Sequence, residues 1–205
     1  MSIIYWFRRD RRLCDNPAFL KAIALANEAA LPLLPVTLEP ENPNSNWGFA
    51  RLGAHRLAFE AQSLRGLANR LQTFNSGLYQ PVEPGINGLI KLAHQLPATA
   101  VVCEAIYAHD EQQEIELLKN AGIKVLAIEQ SALLPHNDLP FDPTKAPVVF
   151  SDFRRQVEKS KCLPRSPLDA PAQLPSLPGN ITAASPYKDS VDAPALDRRS
   201  AFPYQ

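Results

Sequence analysis

Arg8, Arg9, Arg11 and Arg12 surround Asp10 in the stretch YWFRRDRRLCDNP, Tyr5 to Pro17, directly after an apolar run. A guanidinium fork matches anionic ligands and carboxylates through two parallel hydrogen bonds. Such a cluster suits a nucleic-acid claw, a pocket for a small anion, or the charged lip of a strand on which Asp10 neutralises a neighbour. A second group, Glu104-Ala105-Ile106-Tyr107-Ala108-His109-Asp110-Glu111, brings three carboxylates, an imidazole and a phenol. Acidic side chains accept the N–H donors of a heterocycle, and Tyr107 offers a stacking surface. Equally, Asp110 and Glu111 precede a helix and suit its positive end without any ligand.

Other chemistries find no support. Lys plus Arg and Asp plus Glu both count 21, so the chain lacks the net positive charge of a protein that grips nucleic acid over its whole surface. Cys14, Cys103 and Cys162 are scattered, which argues against a disulfide framework and a zinc ribbon and suits a reducing cytoplasm. His109 has no Ser or Cys nucleophile placed with it, and His55, His94 and His136 read as surface or helix residues. No metal-ligand cluster, GxGxxG or Walker A motif is present, and there are only eight glycines. Trp47-Gly48 reads as loop packing rather than base stacking. Neither a signal peptide nor a membrane span is apparent, so a cytoplasmic location is expected.

These residues need elements to hold them. Ile3–Phe7 is apolar on both faces, as in a strand buried within a parallel sheet. Asn16-Pro17 reads as an N-cap followed by Pro at the first helical position, opening a helix to about Glu28. Leu31–Leu38 is a second strand carrying two prolines. A long helix over Ala50–Phe74 shows Leu57, Leu64, Leu67, Leu71 and Phe74 at helical spacing. A weak strand at Leu78–Gln80, a helix over Pro84–Leu96, a strand at Ala100–Cys103, a helix over Glu111–Asn120 ending at Gly122, and a strand at Ile123–Ile128 follow. The alternation predicts a doubly wound, Rossmann-like α/β domain: five parallel strands with helices on both faces. The expected division is a domain over 1–135, a loop and short helix packing on it over 136–159, and an extended Pro-rich linker over 160–205. Ligands of such sheets bind beyond the carboxyl ends of the strands, where the winding reverses. If the first and fourth strands are neighbours, the basic and acidic loops face each other there.

The opening WFRRDRRLCDNPAF resembles that of the photolyase/cryptochrome family through Phe7, Arg8, Asp10, Arg12 (or Arg11, by register), Leu13, Asp15, Asn16 and Ala18. Arg11 stands where the family usually has leucine. GAHRLAFEAQSLRGL is similar to the family's second helix, through Gly53, Arg56, Phe59, Ser63, Leu64 and Leu67. APVVFSDFRRQVEK resembles a segment of the DASH-type cryptochromes, and DRRSAFPYQ the linker before the family's flavin domain. Four such segments in order span essentially the whole chain.

The resemblance implies an N-terminal α/β domain able to house an antenna chromophore: a reduced folate, a deazaflavin or a flavin. A C-terminal helical domain holds FAD and binds damaged DNA, and reduced flavin gives an electron to a pyrimidine dimer. The cofactor supplies that redox chemistry, so no triad or metal is required. The flavin domain is absent here, so no repair by this chain alone is expected. DNA is reached only through that domain, docked in cis or in trans. By resemblance, Arg9, Tyr107, His109, Asp110 and Glu111 are the candidate chromophore-binding residues. Arg8, Asp10, Phe59, Arg154 and Arg155 are the candidate interdomain residues. The family's folate pocket carries an Asn-Glu or Glu-Glu pair where this chain has His109-Asp110, and its other wall comes from the absent domain. A chromophore would therefore be held weakly or not at all. The alternatives are a stand-alone module binding a nucleotide-like or flavin-like ligand, and a protein-interaction module.

Overall fold

β1 (Ser2–Phe7) lies at the centre of the sheet and is buried at every position, so no polar-apolar alternation marks its faces. The period of two still sorts its side chains. Ile3, Tyr5 and Phe7 join one core cluster, and Ile4 and Trp6 join the other. The structure, a computed structural model, describes residues 1–40, 44, 48–182 and 184–188. Trp47 and the DRRSAFPYQ segment lie outside the described residues.

The element order is β1, α1 (Pro17–Glu28), β2 (Leu33–Thr37), α2 (Ala54–Gln72), β3 (Tyr79–Pro81), α3 (Gly85–Gln95), β4 (Ala98–Glu104), α4 (His109–Asn120), β5 (Val125–Ile128), α5 (Phe150–Ser160) and β6 (Ala184–Pro186). Two short 3-10 turns, His136–Asp138 and Pro143–Lys145, precede α5. The sheet runs β5-β4-β1-β2-β3-β6. The first five strands pair in parallel, as expected, and β6 adds a sixth, antiparallel to β3. Winding goes from β1 outward to β3, then returns to β4 on the other side, so β1 and β4 are neighbours at the reversal.

Both faces carry helices. α1 and α2 contribute Phe19, Ile23, Leu67 and Leu71 to the cluster on Tyr5 and Phe7. There the rings of Tyr5, Phe7 and Phe19 meet with centroids 4.6–5.2 Å apart, at the tilted angles such pairs prefer. α3 and α4 contribute Ile86, Leu89, Leu92, Ile115 and Leu118 to the cluster on Ile4 and Trp6.

Local sequence explains the boundaries. The Asn16 side chain accepts from the Phe19 N–H at 2.9 Å, and Pro17 opens α1 without losing a hydrogen bond. Gly122 takes φ +79 after α4, where its N–H reaches the Lys119 carbonyl. Pro35 sits inside β2 because its neighbour in period, Leu33, turns its N–H away from β1 to the Ser176 carbonyl at 3.0 Å. Pro35 faces the same way, where the ladder asks for no donor. Leu57 departs from the expected core stripe. It is exposed, and the buried stripe of α2 turns towards Ala58 and Ala61 at its N-terminal end.

Where described, residues 163–182 and 184–188 of the linker are extended and lie on the domain. The Asp15 N–H donates to the Leu168 carbonyl at 2.7 Å, and Arg165 pairs with the Asp15 carboxylate at 2.6 Å. Leu174 packs on the Tyr5–Phe7 cluster, and Leu177 and Ile181 on the Ile4–Trp6 cluster. The segment has thus passed from one face of the sheet to the other. After β6, Tyr187 returns to the first face, its N–H on the Leu78 carbonyl at 2.7 Å.

Candidate functional site

The reversal point between β1 and β4 is filled by the chain itself. Arg8, first residue beyond β1, is buried with its guanidinium 4.4 Å from the Trp6 ring centre. It donates to the main-chain carbonyls of Glu104 at 3.4 Å and Glu111 at 2.9 Å, and to the Glu114 carboxylate at 2.6 Å. Burial still raises the Glu114 carboxyl above its ordinary value, and Arg8 works against that rise. The basic and acidic loops do face each other, but through Arg8 acting on α4.

Asp10 is buried too, and its partners are not arginine side chains. Its Oδ1 accepts the Arg8 N–H at 3.1 Å. Its Oδ2 accepts from Tyr5 Oη, from Asn16 Nδ2 at 3.0 Å and from Gln130 Nε2 at 2.8 Å. Gln130 Oε1 in turn accepts the Ala18 N–H at 2.9 Å. This network ties the end of β1, the start of α1 and the segment after β5 into one block. Burial, then the nearby Asp10 charge, raises the Tyr5 phenol well above its ordinary range, so it stays a neutral donor. Arg8 and Asp10 were expected on an interdomain face. Both side chains are instead spent inside this domain, because a charge buried this deeply must be fully hydrogen-bonded.

The remaining arginines divide. Arg9 is half-exposed and reaches Glu111 at 3.4 Å and Glu60 at 3.6 Å. Arg11 pairs with Glu60 at 3.3 Å, and Arg12 donates to the Asp15 carbonyl at 2.8 and 3.0 Å. Glu60 thus collects the loop onto α2.

The five candidate chromophore residues fall on two sides. Arg9, His109, Asp110 and Glu111 gather at the start of α4. There Asp110 meets Arg51 at 3.4 Å, and His109 Nε2 lies 2.9 Å from Gln113 Nε2. Neither acidic residue caps the helix through its side chain; both sit in its first turn, at the positive end of the helix dipole. Tyr107 instead borders an open cavity of about 260 Å3 beyond β4 and β5, with Ala105, Ile106, Glu129, Ser131, Ala132 and His136. Its ring lies 5.2 Å from that of His136, and its hydroxyl 3.4 Å from His136 Nδ1. Glu129 holds His136 through the His136 N–H at 3.1 Å and Nδ1 at 3.2 Å. Below this wall Ser131 Oγ donates to the buried Glu104 carboxylate, whose Oε2 has no partner among the described residues.

Phe59 is exposed on α2, and Arg154 and Arg155 are exposed on α5, paired along their own helix with Glu158 and Asp152. Sequence reasoning missed Gln130, Glu129 and Glu114, polar residues that carry no motif and meet their partners only through the fold. His136 was set aside for the same reason. Among the described residues no group of three His, Cys, Asp or Glu side chains could hold a metal ion. No helix among them is long and apolar enough to cross a membrane.

Known proteins agree with this architecture. The family described as DNA photolyase matches residues 3–175. A cryptochrome DASH of Natronomonas pharaonis is 27% identical over the whole chain, which covers 44% of that relative. The blue-light photoreceptor PHR2 of Arabidopsis thaliana is 32% identical over 86% of the chain, covering 40% of that protein. The crystal structure of a Synechocystis sp. cryptochrome superposes on the whole chain with a TM-score of 0.82 at 26% identity, and the chain covers 43% of it. The chain thus spans about two fifths of the length of the relatives it matches. A match over residues 3–175, on a doubly wound sheet of the same shape, makes this chain a member of the DNA photolyase family, corresponding to its N-terminal α/β region.

Proposed function

We propose that the chain serves as the antenna-type half of a photolyase or DASH-type cryptochrome. In this reading it works against a flavin domain supplied in cis or in trans, for light-driven repair of pyrimidine dimers or for blue-light signalling. The observation that carries the reading is the open cavity beside Tyr107, outside the carboxyl ends of β4 and β5, at the ligand-binding end of the sheet but one strand away from the β1–β4 reversal. Because Arg8 fills the β1–β4 gap, a chromophore sunk between those strands does not fit. The cavity offers a planar ring the face of Tyr107, beside His136 and Ser131. That site is one wall of a pocket, which accords with weak binding until a second domain closes it. When bound, such a chromophore would supply light absorption; Tyr107 would orient its ring and Glu129 would fix the His136 imidazole.

The test is spectroscopic. The purified chain, titrated with a reduced folate or with a flavin, should show weak binding that Tyr107→Ala removes. Undiminished binding by that variant would overturn the assignment of the cavity. Mixed with flavin and a pyrimidine-dimer oligonucleotide under blue light, the chain should leave the dimer intact; dimer loss would overturn its dependence on a second domain. A second reading, a module that works only by docking a protein partner, is favoured by the occupation of the reversal point by Arg8. Chromophore-free behaviour under all titrations would select it.

A further inference from the structure

Glu104, the last residue of β4, is only 4% exposed and lies behind the wall of the cavity beside Tyr107. By the period of two it follows Ala100 and Val102 onto the Tyr5–Phe7 face of the sheet. The residues after it, Ala105, Ile106 and Tyr107, line the cavity, and so does Ser131, whose Oγ donates to Glu104 Oε1. Oε2 of the same carboxylate is buried with no donor among the described residues. Arg8 does not answer it. That guanidinium reaches only the Glu104 main-chain carbonyl, at 3.4 Å, and pairs its charge with Glu114 at 2.6 Å. A buried carboxylate oxygen left without a donor is costly. The charge of Glu104 thus stands next to the cavity without a counter-charge from the residues around it.

The rest of the wall has the same polarity. The hydroxyl hydrogen of Ser131 is committed to Glu104, so what its Oγ offers a ligand is a lone pair. Glu129 lies 3.2 Å from His136 Nδ1 and accepts the His136 N–H at 3.1 Å, which places the ring proton on Nδ1 and leaves Nε2 an acceptor. The lining holds no Lys or Arg. Acceptors backed by two carboxylates repel phosphate and carboxylate groups and favour N–H donors. The ring of Tyr107 adds a face that attracts positive charge. We infer that the cavity is a seat for an aromatic cation of the amidinium class, whose ring lies on Tyr107 and whose N–H groups meet the acceptors of the wall. Glu104 is the positioning residue that sets this preference, acting through Ser131. The inference rests on the reading that the cavity takes a planar ring, and adds which edge that ring must present.

The experiment uses three probes of one shape: benzamidine, a cation; benzamide, neutral; and benzoate, an anion. Each is titrated into the chain and followed through the ring resonances of Tyr107 and His136. Benzamidine should bind about tenfold more tightly than benzamide, and benzoate more weakly than either. Glu104→Gln keeps the shape and removes the charge, so the preference for benzamidine over benzamide should shrink to about twofold while benzamide binds as before. An unchanged preference, or equal loss of both probes, would overturn the inference. Should that variant not fold, Glu129→Gln should shrink the same preference, with the same outcomes against it. Methylguanidine, which has the charge without the ring, should bind more weakly than benzamidine; equal binding would make the arginine side chain of a partner the occupant and overturn the inference. Benzoate binding as tightly as benzamidine would overturn it and leave the proposed function standing, since the cavity would still take a ring. If no probe binds, the inference falls. A reduced folate or flavin whose binding Tyr107→Ala removes would then keep the proposed function, and absence of that binding would overturn both.

Discussion

Arg8 and Glu114 meet at 2.6 Å across the point where the sheet reverses its winding, so α4 is tethered to the end of β1 by one guanidinium. The same group donates to the Glu111 carbonyl and covers the Trp6 ring. Arg8→Ala should lower stability by about 3 kcal/mol, the low end for breaking a buried pair, because Glu114 keeps some access to water. Arg8→Lys should recover little, since an ammonium cannot span three separated acceptors. Urea denaturation with an unchanged slope checks both; a loss below about 0.5 kcal/mol for Arg8→Ala would show the tether to be dispensable.

Asp10 offers a second test. Asp10→Asn places an NH2 among Tyr5, Asn16 and Gln130, all of which donate to the present carboxylate. The clash of donors should cost about 2–3 kcal/mol. Tyr5→Phe removes one donor and leaves three, so it should cost about 1 kcal/mol. The order of the two midpoints decides the matter, and equal losses would contradict the network.

The hold on the linker should depend on pH. Asp15 is held below its ordinary value of 3.8, first by the hydrogen bond from Arg165 and then by the Leu168 N–H. A lowered folded-state value means the contribution is fully present above pH 3.8 and is lost as pH falls through the folded value. Protection of the Leu168 amide, its exchange taken relative to the free-peptide rate at each pH, should therefore fall only below pH 3.8. In Asp15→Asn that protection should already be low at neutral pH and unchanged by acid over that window.

Cysteine labelling tests the core. Cys103 is buried on β4 and its thiol is pushed up to about 12, chiefly by burial, while Cys14 is exposed. A thiol reagent at pH 8 should modify Cys14 first and leave Cys103 untouched until the chain unfolds. Mass spectrometry of the native protein would show early loss of the Cys103 thiol if the core opens readily.

Much of the fold was legible because it is written in short-range patterns. Ile3–Phe7 announced a central strand by having no polar face, and Asn16-Pro17 placed the start of α1 to the residue. β6 was not legible: Ala184, Ser185 and Pro186 have no strand propensity, and only the exposed edge of β3 makes them one. The site was legible as a location and not as a set of roles. The two charged loops did converge on the β1–β4 gap, but sequence does not say that Arg8 would turn inward and Arg9 outward. That choice follows from Trp6, two residues earlier on the same face of the strand, and from the Glu111 carbonyl and Glu114, which lie about a hundred residues away in the chain. His136 and Glu129 joined Tyr107 through the same long-range closure.

β6 has a consequence for colloidal behaviour. β3 is only three residues long and carries β2 on one side; without the antiparallel cover of Ala184–Pro186 its other side would offer unpaired main-chain groups to any passing strand. The segment that reads in sequence as a mere spacer is therefore the hem of the sheet. A cut upstream of it would leave the helices and the Arg8 tether in place, yet would turn a closed border into a template for self-assembly.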